Sequence, residues 1–102
     1  MPHPEATPKL QRLASDDAWP VRAHAIRGLG LTADPLTFPA VRKALRDPEW
    51  WVRLRAGLAL TRFGAQGRNA LLEEERGANP GARDVARLIL GFSPAALAEY
   101  SL

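Results

Sequence analysis

The chain repeats itself. Setting Pro8, Asp16, Trp19, Val21, Arg22, Ala25 and Leu29 against Pro39, Asp47, Trp50, Val52, Arg53, Ala56 and Leu60 aligns seven pairs at a single offset of 31 residues. A third copy follows 30 residues further on in Ala82, Arg83, Ala86 and Leu90, degraded by Asn69 near the proline position and Gly77 near the aspartate position. A period of this length marks a stack of supersecondary units, none of which can bury its apolar face alone.

Each copy divides into two helical stretches, and no alternating apolar run argues for a strand. The spacing predicts helices near residues 7–14, 18–29, 36–46, 48–63, 67–76, 80–90 and 94–100. Thr7-Pro8, Asp47-Pro48, Asn79-Pro80 and Ser93-Pro94 read as N-caps followed by proline at the first helical position, where its missing N–H does least harm. Gly30, Gly64, Gly77 and Gly91 fall where helices should stop. Pro39 is awkward, because it lies beyond the first turn of a helix that begins at Pro35.

The second helix of each copy carries the cleaner pattern. Val52, Ala56, Ala59, Leu60 and Phe63 recur at i, i+4, i+7, i+8 and i+11, one face of a helix. Val21, Ala25, Gly28 and Leu29 do the same, as do Ala82, Ala86, Ile89 and Leu90. The expected class is therefore all-α, a right-handed α-solenoid of about three helical hairpins. Its single domain spans 1–102, with repeats at about 7–30, 36–64 and 67–91 and a terminal half-repeat at 93–100.

These residues resemble a known family. Proline, then aspartate eight residues on, then Val-Arg five and six residues after that, is similar to the HEAT repeat. The short period and the run Asp47-Pro48-Glu49-Trp50-Trp51-Val52-Arg53 resemble its bacterial branch, the HEAT-like or phycobilisome-lyase-type repeats. The resemblance implies that Asp16 and Asp47 cap second helices and form a structural ladder with Arg22, Arg53 and Arg83. Gly77 in place of the third aspartate implies a missing rung. It also implies that the second helices line a concave, partner-binding surface.

Catalytic signals are poor, and a free-standing enzyme is not expected. The 102 residues include no cysteine, so there is neither a disulfide framework nor a thiolate metal site. His24 has no ligand partner three or four residues away. His3 precedes Pro4 and His24 precedes Ala25, so the paired His-Glu motifs of the iron-holding deoxyhypusine hydroxylases are missing. No catalytic, cofactor or metal residue is assigned. Glu73-Glu74-Glu75 fans across about 200° of a helix and reads as a solvated face. No apolar run is long enough for a membrane span. The start, Met1-Pro2-His3-Pro4-Glu5, is unlike a signal peptide, so a cytoplasmic location is expected.

The informative surface lies opposite Val52 on the second helices. Advancing 100° per residue points Trp50, Trp51, Leu54 and Leu58 away from the core, with Trp19 and Arg27 among their equivalents in the first copy. Trp19 and Trp50 either stack across the repeat junction or meet a partner; Leu54 and Leu58 are expected to contact a partner, a second copy or a further segment. Twelve Arg and two Lys against eleven acids leave a net charge of +3, too little for a phosphate-driven nucleic-acid clasp.

The expected function is a protein-interaction scaffold that binds a protein or peptide through Trp19, Arg27, Trp50, Trp51, Leu54 and Leu58, without a cofactor. The alternative that the resemblance implies is an accessory domain of a cofactor-handling, phycobilin-lyase-like enzyme. The short apolar helix near 94–100 further suggests self-association through an end, or a piece of a larger protein.

Overall fold

The computed structural model describes residues 6–100, and all regular structure among them is helical. Seven α-helices run α1 (Ala6–Leu13), α2 (Trp19–Thr32), α3 (Phe38–Lys43), α4 (Trp50–Leu60), α5 (Gly64–Glu75), α6 (Pro80–Leu90) and α7 (Pro94–Tyr100). They pair as hairpins α1/α2, α3/α4 and α5/α6, and α4 packs between α2 and α6. No helix among the described residues is long and apolar enough to cross a membrane.

Local chemistry explains most helix ends. Asn79 Oδ1 accepts from the N–H of Ala82 at 2.9 Å, and Ser93 Oγ accepts from the N–H of Ala96 at 3.1 Å, so both cap as expected. Asp47 works two residues earlier: its Oδ1 accepts from the N–H of Glu49, which is the residue at the N-cap of α4. Thr7 and Pro8 lie inside the first turn of α1 rather than before it. Pro39 is accommodated because the helix restarts. A 3-10 turn over Pro35–Thr37, capped by Asp34, precedes α3, and Pro39 then falls in the first turn of a helix starting at Phe38.

Of the glycines read as helix stops, Gly30 has other work, whereas Gly64 does end a helical stretch. Gly30 lies within α2, and a methyl group built there would sit 2.6 Å from Cβ and 2.9 Å from Cα of Ala59. The backbones of α2 and α4 therefore touch at this point. The helix ends instead at Ala33, which takes the left-handed conformation at φ 50° and donates its N–H to the carbonyl of Leu29. Gly64, at φ 62° and ψ −138°, turns the chain directly from the 3-10 end of α4 into α5.

The core runs through the stack as one cluster, with Ile26, Leu29, Val41, Leu45, Val52, Leu60, Leu71, Val85 and Ile89 almost wholly enclosed. Phe38 and Phe63 meet edge to face beside it, with ring centroids 5.5 Å apart. One sequence expectation is corrected here. Leu54 and Leu58 do not face away from the core; they are 8% and 5% exposed and belong to the cluster. The reason is the sandwich. Gly57 lets α6 approach so closely that an added methyl would lie 2.7 Å from the side chains of Val85 and Ile89, so α4 is covered on both sides.

The acidic run on α5 is also not simply a solvated face. Glu74 is buried and accepts from Nη2 of Arg46 at 2.9 and 3.2 Å, with Arg42 Nη2 at 3.8 Å. Glu73 accepts from Arg42 at 2.7 Å. These pairs join α5 to the α3 segment across the second repeat junction.

Candidate interaction groove

The residues aligned by the repeat form two distinct arrangements. The first holds the stack together. Arg22 donates from Nε to Asp47 Oδ2 at 2.8 Å and from Nη2 to Oδ1 at 3.0 Å, a two-pronged grip on the next repeat. Its Nη1 bonds the carbonyls of Asp16 and Asp17. Asp16 Oδ1 in turn accepts from the N–H of Ala18. The Asp47 carboxylate, chiefly through its hydrogen bonds, raises the pKa of Arg22 above the ordinary arginine value.

Arg53 repeats the local half of this pattern, bonding the carbonyls of Asp47 and Pro48 at 2.9 and 3.0 Å. The forward half is missing. Its Nε is buried without a hydrogen-bond partner, and its chain runs over Gly81, where a methyl group would lie 2.9 Å from Cδ and Nε. Arg83 Nε is likewise buried and unpartnered. Across this junction the Arg42 and Arg46 pairs with Glu73 and Glu74 supply the ionic link on the opposite helix layer.

The second arrangement is a groove between α2 and α4. Trp19, Pro20, Ala23, His24 and Arg27 line it from α2, and Trp51 and Arg55 from α4, around an open volume of about 240 Å³. It continues into a small recess lined by Arg27, Leu31, Arg55, Leu58, Arg62 and Tyr100, among others. Trp19 and Trp51 are 38% and 54% exposed. Tyr100 reaches the recess from α7 and stacks on Phe92 at 5.1 Å.

Of the sequence-predicted contact residues, Trp19, Arg27 and Trp51 line the groove itself, and Leu58 contributes only to the adjoining recess. Leu54 is in the core. Trp50 stands outside the groove lining, beneath the guanidinium of Arg53 at 5.8 Å from the ring centroid. Trp19 and Trp50 do not stack on one another: the aromatic ring pairs among the described residues are Phe38 with Phe63 and Phe92 with Tyr100. Sequence reasoning passed over Leu31 and Tyr100, which lie at the far end of the recess. Leu31 follows the glycine expected to end α2, and Tyr100 arrives from a helix outside the clear repeats. Arg55 and Arg62 carried a detectable signal, since they fall seven residues apart on one helical side.

Among the described residues, no group of three or more His, Cys, Asp or Glu side chains could hold a metal ion. The groove is smaller than the roughly 300–1,000 Å³ that encloses a small-molecule ligand. Its residues offer apolar rings and fixed positive charge for contact with a surface or chain. A family model described as HEAT repeats matches residues 3–91, most of the chain and all three hairpins. No curated protein sequence matches it.

Proposed function

Because the chain belongs to the HEAT-repeat family, we propose that it works as a non-enzymatic protein-interaction module, with the α2–α4 groove as its binding surface. One observation carries this reading: two tryptophans stand half-exposed on opposite walls of a groove whose floor is fixed by helix packing. Large aromatic side chains at the rim of a preformed depression are the usual anchors of protein recognition. The remaining members of the expected contact set fit less well, since Leu54 is enclosed and Trp50 is engaged by Arg53.

The test is affinity capture from a nuclease-treated lysate of the source organism, comparing the natural chain with Trp19→Asp and Trp51→Asp. Both substituted residues are exposed, so the variants are expected to stay folded by circular dichroism. A protein retained by the natural chain and lost with both variants supports the groove. Equal retention by all three moves the interaction to another surface.

A further inference from the structure

Three arginines determine what the α2–α4 groove can hold. Arg27 and Arg55 line both the open groove and the recess beyond it, and Arg62 joins them in the recess. Arg55 and Arg62 are two helical turns apart, roughly 10 Å along the groove. Neither lining includes an aspartate or glutamate. The contrast with the rest of the molecule is sharp. Among the described residues, the arginines in salt bridges are Arg22, Arg42 and Arg46, all spent on joining one repeat to the next. Among the described residues, the arginines of the groove are matched to no Asp or Glu carboxylate.

The geometry points to an acidic peptide segment of a partner protein as the occupant. Its carboxylates pair with Arg27, Arg55 and Arg62, and an aromatic or branched apolar side chain seats between Trp19 and Trp51. This rests on the reading of the groove as a protein-binding surface. Guanidinium groups suit it because they present paired N–H donors that match a carboxylate and remain charged at any working pH. The apolar anchors and the ionic row lie along one direction, so a single extended segment can use both.

A nucleic-acid strand fits the same surface less well. Three arginines neutralise only a few phosphates, and such binding weakens steeply as salt rises. The chain's overall surplus is only +3, and Asp84 and Glu99 stand exposed on α6 and α7, the helices flanking α4 and the recess. A long phosphate chain is repelled by those acids, whereas a short acidic peptide needs only the local match.

The experiment is selection of a displayed random-peptide library on the immobilised full chain, run in parallel on Arg27→Glu/Arg55→Glu, on Trp51→Asp and on Arg12→Glu. Arg12 is exposed on α1, away from the groove, and controls for net charge. The expected pool is enriched in Asp and Glu around an aromatic or branched apolar residue. Its binding falls at least tenfold on the double arginine variant and on Trp51→Asp, and by less than about twofold on Arg12→Glu. A neutral or basic pool that is lost with Trp51→Asp overturns the acidic occupant and leaves the groove reading standing. A pool indifferent to Trp51→Asp, or no enrichment, overturns both. A labelled single-stranded oligonucleotide that competes for the arginines and binds more tightly than the best peptide overturns the peptide in favour of nucleic acid.

Discussion

Arg22 holds Asp47 with two hydrogen bonds across the first repeat junction, and the same carboxylate also caps the turn into α4 through the N–H of Glu49. One side chain thus fixes both the spacing of two repeats and the start of the second helix in the next. Among the described residues, the carboxylate of Asp16, its counterpart one repeat earlier, makes only the turn contact with the N–H of Ala18. Asp47→Ala is therefore expected to lower Tm more than Asp16→Ala, in a thermal melt followed by circular dichroism. The sign with pH follows from the raised pKa of Arg22. The contribution is fully present below the ordinary arginine value and is lost only as pH rises through the higher folded value, so the ranking should not change across the neutral range.

The contact between Gly30 and Ala59 gives a second expectation. A methyl group at Gly30 meets backbone and must push α2 from α4, so Gly30→Ala should cost about 1–3 kcal/mol in urea unfolding. Gly28→Ala is the comparison, because there the new methyl meets only the end of the Leu10 side chain, at 3.0 Å. That clash can relax while helix propensity improves by up to about 1 kcal/mol, so a change within roughly 0.5 kcal/mol is expected.

Ala33 ends α2 at positive φ, where a side chain is unfavourable. Ala33→Gly should stabilise the protein by several tenths to about 1 kcal/mol, the relief being partly offset by the greater freedom of glycine when unfolded. Gly64→Ala should do the reverse and cost about 1–3 kcal/mol. No neighbouring atom lies within 4 Å of the added methyl, so that loss would come from the backbone alone. Chemical denaturation of the two variants checks both signs.

Glu74 supplies a fourth. Removing both Arg42 and Arg46 leaves its carboxylate enclosed without its cations, and Arg42→Ala/Arg46→Ala should cost about 1–3 kcal/mol. Adding Glu74→Leu to that variant should recover part of the loss, because an apolar side chain needs no partner there. A third variant more unstable than the double one would refute this account of the junction.

The repeat was legible because Ala25, Ala56 and Ala86 report the same demand, a small side chain buried in the stack, at nearly constant intervals. Caps such as Asn79 and Ser93 were legible because their hydrogen bonds are local. Leu54 and Leu58 were not. A helical wheel centred on Val52 describes a helix with one buried face, whereas α4 lies between two neighbours and has two. Glu74 escaped for a related reason: nothing in three consecutive glutamates tells which one meets Arg46 on a different repeat. In the groove, Trp19, Trp51 and Arg27 could be found from repeat position, while Tyr100 could not, since its approach depends on the path α7 takes beyond the last repeat.

The touching backbones at Gly30 and Ala59 carry a consequence for how this surface can change. Side-chain substitutions can alter the rim at Trp19, Trp51 and Arg27, but at the recess end the distance between its two walls is set by the close approach of Gly30 to Ala59. Recognition is therefore separable from architecture. New preferences can be written onto the walls one residue at a time, with little penalty to the scaffold, and a ligand finds the channel already at its working width and spends none of its binding energy opening it.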